Sequence, residues 1–238
     1  MKEIIKNGLS ELNLLDKVPE NAPELLERYG RMLIEKNEVM NLTAITDPEQ
    51  VASLHMLDCA ALLTAADLRN RTLMDVGTGA GFPGLVLKIL EPSLKLTLLD
   101  SLQKRLDWLG TVCDALGLEG VELLHGRAEE ESLSAPRRDG YDFATSRAVA
   151  AMPLLCELCL PFVKVGGQFL AMKSVDSDEE LSRAAHGISL LGGKVSALRD
   201  YPVPHTQVTH RLIVIDKLTP TPKGYPRRWA KIQKSPLG

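Results

Sequence analysis

Leu73-Met74-Asp75-Val76-Gly77-Thr78-Gly79-Ala80-Gly81-Phe82-Pro83-Gly84 joins an apolar run to a glycine-rich turn, which opens into an amphipathic helical segment ending near Leu90. Lys95-Leu96-Thr97-Leu98-Leu99-Asp100 follows as a second apolar run with an acid at its carboxyl end. Strand, glycine turn, helix, strand and acid in that order make a nucleotide-binding βαβ unit. Gly77, Gly79 and Gly81 let the backbone turn sharply and let a ligand approach with no Cβ in the way. Pro83 suits the first turn of a helix, where its missing N–H has no partner to lose. Asp100 can accept from both hydroxyls of a ribose, so an adenosine-type cofactor is expected.

Two cofactor classes share this layout. Gly79 to Gly84 fits the dinucleotide pattern G-x-G-x-x-G, which is a weak signal alone. The turn starts earlier, however, and Asp75 stands just inside the strand before Gly77. A carboxylate there would repel a pyrophosphate at the helix N-terminus, a place that otherwise favours anions. It suits a cationic amino group, such as that of S-adenosylmethionine. The run D-x-G-x-G-x-G therefore favours a methyl donor over NAD, with a dehydrogenase as the competing reading.

The chain has 238 residues, 45% hydrophobic and 25% charged, enough for one globular domain with an appendage. No apolar run reaches the roughly 18 residues of a membrane span, and Met1-Lys2-Glu3-Ile4-Ile5-Lys6 lacks a secretory apolar region. A cytoplasmic location without a membrane partner is expected, and the Asn41-Leu42-Thr43 sequon reads as incidental. Cys156 and Cys159 have redox or zinc half-site spacing, but they lie in the apolar helical run Met152 to Phe162. No second pair completes a site, so they read as core cysteines and no metal is expected.

The net charge of −3 argues against a nucleic-acid binder that uses its whole surface. Its distribution says more. From Lys217 onward there is no acid, while Lys217, Lys223, Arg227, Arg228, Lys231 and Lys234 are basic. Pro220, Pro222, Pro226 and Pro236 are expected to keep this stretch out of regular helix or strand. Tyr225 and Trp229 lie between the charges. Such a segment either holds phosphates and stacks on unpaired bases, or lies solvated with its aromatics packed on the domain.

Apolar spacing predicts helices through residues 1–65, including Pro23 to Val39 and a helix opened by Asp47-Pro48-Glu49. His55 and Asp58, three apart on the latter, read as a local structural pair rather than a catalytic dyad. From Arg71 strands and helices alternate. Strands are expected to end at Val76 and Asp100, then to span Val121 to His125, Tyr141 to Ser146 and Gly167 to Met172. Late strands are expected at Lys194 to Leu198 and Leu212 to Ile215. Ser101 is a candidate cap for a helix running to Leu116, with Gly117 as its stop, and further helices cover Met152 to Pro161 and Asp176 to Leu191. The class is α/β, a mostly parallel sheet with helices on both faces. The expected division is a helical extension, 1–66, a cofactor-binding domain, 67–217, and a basic tail, 218–238.

In such sheets ligands bind outside the carboxyl ends of the strands. That rule singles out Gly126-Arg127-Ala128-Glu129, Thr145-Ser146-Arg147-Ala148 and Lys173-Ser174. An exocyclic amine acceptor calls for an Asp/Asn-Pro-Pro-aromatic clamp, and Thr-Ser-Arg-Ala stands there instead. Methylation of a pyrimidine carbon calls for a cysteine at a strand end, where none is placed. A guanine N7 has a free lone pair and no proton to remove, so alignment and proximity suffice.

Taken together, these segments resemble the bacterial RsmG (GidB) family. Asn41-Leu42-Thr43-Ala44-Ile45, His55-Met56-Leu57-Asp58, Asp75 to Gly84, Thr97-Leu98-Leu99-Asp100-Ser101 and Lys104-Arg105 match it in order. So do Gly126 to Glu129, Thr145 to Ala148 and Tyr225-Pro226-Arg227. The resemblance implies a Rossmann-like class I methyltransferase with a seven-stranded sheet and an N-terminal helical extension. It also implies N7-methylguanosine formation from S-adenosylmethionine in the 530 loop of 16S ribosomal RNA, free or in a 30S particle; separately, a monomer is expected. Carried over by position, Gly77, Gly79 and Phe82 fall on cofactor contacts in the glycine loop. Asp100 matches the ribose acid, Ala128 and Glu129 the adenine side, and Arg147 the contact after the fourth strand. Arg147 and Lys173 are the candidates for orienting substrate, and Lys173, Arg227 and Arg228 are expected to face RNA. The chain departs from the family pattern at Ser174 and at Arg228-Trp229-Ala230.

Overall fold

The computed structural model describes residues 1–238. Its sheet has seven strands: β1 (Thr72–Val76), β2 (Lys95–Asp100), β3 (Val121–His125), β4 (Tyr141–Arg147), β5 (Val163–Ser174), β6 (Gly193–Pro202) and β7 (Thr209–Lys217). They lie in the order β3-β2-β1-β4-β5-β7-β6, and the first five pair in parallel. β7 is inserted antiparallel between β5 and β6, so the sheet is mixed and mostly parallel. Strand order reverses between β1 and β4, which opens a crevice above their carboxyl ends.

The helices are α1 (Lys2–Glu11), α2 (Ala22–Asn37), α3 (Pro48–Gln50), α4 (Asp58–Ala60), α5 (Gly84–Leu90), α6 (Gln103–Leu116), α7 (Ala128–Glu131), α8 (Met152–Cys159), α9 (Asp178–Leu190) and α10 (Trp229–Lys234). A π-helical stretch, Val51–Leu57, joins α3 to α4. One core of 36 buried residues unites α1, α2, the Val51–Leu62 segment, α5 and α6 with one sheet face. A second, of 21, places α8, α9 and α10 on the other. Ile5, Leu9, Leu26, Tyr29 and Leu33 of the N-terminal helices are completely buried. Each such side chain stabilises the docking by about 1.5–3 kcal/mol.

Local chemistry accounts for two of the helix ends. Asp47 caps α3, its carboxylate accepting from the N–H groups of Glu49 and Gln50. Gly117 ends α6 in the left-handed conformation, φ 65°. Ser101 does not cap α6. The helix has no side-chain cap, and Asp100 Oδ1 accepts the N–H of Leu102, the residue just before it, at 2.9 Å. The segment expected to be amphipathic, α5, is buried all round. The N-terminal helices cover the side that would otherwise meet water, and Lys88 is accommodated by donating to the carbonyls of Pro92 and Leu94. β5 starts earlier than expected because Val163 already pairs with Tyr141, and the Gly166-Gly167 pair lies where the register then shifts.

The basic segment differs from expectation more deeply. It contains α10, because the stretch between Pro226 and Pro236 is free of proline and long enough for a short helix. Ile232 on that helix is completely buried in the second core. No helix of the structure is long and apolar enough to cross a membrane.

Candidate active site

The loop between β1 and α5 is held from beneath. Asp75 is completely buried, and its Oδ2 accepts from the Thr78 hydroxyl at 2.7 Å and the Gly84 N–H at 3.0 Å. Both ends of the loop hang on one carboxylate. Asp75 Oδ1 is buried without a protein partner, and burial pushes the carboxyl up to about 6. Gly77 and Gly79 have φ of 69° and 58°, a region L side chains rarely adopt. A Cβ on Gly77 would also lie 2.6 Å from Val149 Cγ2.

Two clefts flank this loop. The first is lined by Val76, Gly77, Asp100, Ala128, Glu129 and Val149, among others. Asp100 Oδ2 accepts the Gly79 N–H at 2.9 Å, which fixes the acid against the glycine turn. Glu129 is 4% exposed, and its Oε1 accepts from Arg127 Nε at 2.5 Å. Two carboxylates and a close-approaching glycine backbone suit the hydroxyls and amino group of an adenosine.

The second cleft, about 530 Å³, is lined by His55, Asp58, Arg147, Lys173 and His210 with apolar neighbours. Arg147 organises it. Its Nη1 donates to the Leu54 carbonyl at 3.0 Å and to Asp58 Oδ2 at 3.1 Å. Its Nη2 donates to His55 Nδ1 at 2.9 Å, which leaves the His55 proton on Nε2 to be donated to Thr43 Oγ1. Burial and the Arg147 charge bring the His55 imidazole down to about 4, so it stays neutral. Burial alone would raise Asp58, but His210, Arg147 and Tyr201 outweigh it and hold its carboxyl below the usual range. His210 is raised in turn by its hydrogen bond to Asp58. His55 and Asp58, expected as a local pair, meet through Arg147 instead of each other.

The residues expected to contact a cofactor are thus divided. Gly77, Asp100, Ala128 and Glu129 line the first cleft, with Gly79 behind Asp100. Phe82 stands apart, buried with its ring stacked on His55 at 4.6 Å and beneath the Arg147 guanidinium at 5.0 Å. Arg147 itself lines the second cleft. The bridge between the clefts is Arg147-Ala148-Val149, since Arg147 and Ala148 line one and Val149 the other. Ala148 has φ 57°, a left-handed kink that directs its two neighbours to different sides.

Two residues expected to meet RNA have other partners. Lys173 donates to the Ala150 carbonyl at 3.1 Å and pairs with Glu180 at 2.8 Å, so it enters the second cleft as half of an ion pair. Arg227 is directed inward onto the completely buried Glu157, Nη2 to Oε2 at 2.6 Å, because that carboxylate has to be compensated. Arg228 is exposed. Cys156 and Cys159 are buried free thiols, and burial pushes Cys156 up to about 12.

The model of the GidB family, described as rRNA small subunit methyltransferase G, matches residues 22–208. The chain belongs to this family. It is 45% identical over 237 residues to the Ribosomal RNA small subunit methyltransferase G of Alkaliphilus metalliredigens, covering 99% of this chain and 98% of that protein. The enzyme of the same name from Clostridium perfringens (strain 13 / Type A) is 42% identical, covering 88% of each. The protein is a methyltransferase, and the dehydrogenase reading falls away. Solved structures with the same fold include TrmN from Thermus thermophilus, TM-score 0.54 and 23% identity over 68% of this chain and 48% of that one. A precorrin-6y C5,15-methyltransferase from Geobacter metallireducens has TM-score 0.52 at 13% identity over 75% and 91%. They place the sheet among Rossmann-like class I methyltransferases.

Sequence reasoning missed Tyr201 and His210, which reach Asp58 at 2.8 Å each from β6 and β7. No local spacing links them to Asp58. It left Trp229 open between stacking on RNA and packing on the domain; the residue lines the first cleft.

Proposed function

We propose that this protein transfers the methyl group of S-adenosylmethionine to N7 of a guanine in the 530 loop of 16S ribosomal RNA. The observation that carries the reading is the Arg147-Ala148-Val149 bridge, one short segment bordering both an adenosine-suited cleft and a second, partly cationic one. Bound donor supplies an electrophilic methyl on a sulfonium. The chain's own work is to place and align.

In this reading Asp100 accepts from the ribose, Glu129 stands on the adenine side, and Gly77 lets the backbone come close. Arg147 and His210 line the acceptor cleft with Asp58 as their shared partner, as Lys173 does with Glu180. Residues 1–66 back that cleft through Leu54, His55 and Asp58. A base is not called for at N7, which has no proton to lose. His55 supports this, because it is neutral and its Nδ1 lone pair already accepts from Arg147. Catalysis then rests on proximity and orientation. Action as a monomer on ribosomal RNA in the cytoplasm belongs to this reading.

The deciding experiment is transfer from labelled S-adenosylmethionine to 16S RNA, free and in 30S particles, taken from cells lacking this modification. The expected product is N7-methylguanosine mapped to the 530 loop. Label at another nucleoside, or none in either substrate, overturns the assignment.

A further inference from the structure

Residues 218–238 are tied to the body of the fold at three places. Arg138 donates to the carbonyls of Tyr225, Thr221 and Pro222 at 2.7, 2.9 and 3.1 Å. Arg227 grips buried Glu157 through its backbone N–H at 2.8 Å and its guanidinium Nε at 2.9 Å. Ile232 and Leu237 complete the second core. Between these anchors Trp229 is delivered to the cleft that Gly77, Asp100 and Glu129 also line. Arg127, which lines the same cleft, lies over the indole, its guanidinium 5.0 Å from the ring centre while its Nε holds Glu129.

We propose that Trp229 is a cofactor-binding residue: its indole forms a wall of the adenosine cleft and packs on the nucleoside of the donor. The inference rests on the methyl-donor reading above. An indole offers a flat, apolar face at small entropic cost, and such a face stacks on a base without reading its identity. The Arg227–Glu157 grip lies two residues away and fixes where the ring stands, so Arg227 is a positioning residue. The basic segment therefore has an inward side made of Arg227 and Trp229 and an outward side made of Arg228, Lys231 and Lys234, all three exposed. Composition alone did not separate the two sides.

The probe is S-adenosylhomocysteine, titrated calorimetrically into wild type, Trp229→Ala and Trp229→Phe. Trp229→Ala is expected to bind at least fivefold more weakly, and Trp229→Phe, which keeps a ring, within about twofold of wild type. The chain has two tryptophans, and the other, Trp108, is buried in the first core. Emission of wild type minus that of Trp229→Phe thus reports Trp229, and it is expected to change saturably over the same ligand range. That optical arm stands even where Trp229→Ala fails to fold. Wild-type affinity in a folded Trp229→Ala, or unchanged Trp229 emission at saturation, overturns the proposal while leaving the donor reading intact. Absence of binding by the wild type itself overturns the donor reading, and this proposal with it.

Discussion

At the scale of single residues, Arg147 carries more of the site than any other side chain. One planar fork satisfies a helix carbonyl, a buried carboxylate and an imidazole lone pair, while its face lies over Phe82. Lysine has neither the fork nor the face. Arg147→Ala is expected to lower stability by about 3 kcal/mol, the low end for breaking a buried pair because Tyr201 and His210 still hold Asp58. Denaturant unfolding checks this, and Arg147→Lys is expected to recover little of the loss. The position of Arg147 at a strand end was legible in the sequence from the rule on where ligands bind. Its partners were not. Leu54, His55 and Asp58 lie about 90 residues earlier, and only the docking of the N-terminal helices brings them across.

At the scale of elements, the helical segment running from Pro48 to Thr64 meets β6 and β7 through ionisable groups, and the pH dependence of the contact has a definite sign. His55 is neutral when folded, with a value of about 4, but takes its proton near pH 6.5 when unfolded. Its contribution is therefore full above about pH 6.5 and is lost as pH falls toward 4. His210 behaves oppositely. Asp58 raises it, so its contribution is full below about pH 6.5 and is lost as pH rises through the folded-state value. Asp75, raised by burial to about 6, works against His55 on the acid side, since the folded chain keeps a proton there that the unfolded chain has released. Urea unfolding from pH 5 to 8.5 is expected to show stability declining above pH 6.5, and His210→Gln is expected to flatten that decline. β1 and β2, with the glycine turn between them, were readable because each follows local rules of hydrophobic run, turn and acid. The insertion of β7 between β5 and β6 was not: the short Val203–Val208 connection makes β7 antiparallel to β6, but nothing local says that it also pairs with β5.

At the scale of the whole molecule, the distribution of basic charge is sorted by depth. Arg138, Lys217 and Arg227 are spent inside, on carbonyls, Asp139 and Glu157. Arg228, Lys231 and Lys234 remain exposed on and beside α10. Replacing these three by alanine is expected to reduce the salt dependence of 16S RNA binding by about two in the slope of log K against log salt, at roughly 0.7 per phosphate contact on single-stranded RNA. Stability is expected to move by no more than about 0.5 kcal/mol, as for other surface changes. An unaltered slope in a filter-binding titration would show that α10 does not meet the RNA. Sequence composition found this cluster of charge correctly, yet it could not separate inward from outward members, because Glu157, which draws Arg227 in, lies on a helix 70 residues earlier.

The left-handed kink at Ala148 has one more consequence. Arg147 and Val149 are the two arms of a single stiff backbone turn, and a rotation at its pivot moves both. A guest that shifts Val149 against Gly77 thereby re-aims the guanidinium next door, and a guest that draws on the guanidinium changes the fit around Val149. Occupancy of the two clefts is therefore expected to be heterotropically linked, which donor titrations with and without RNA check. By thermodynamic reciprocity, the factor by which donor alters affinity for acceptor equals the factor by which acceptor alters affinity for donor.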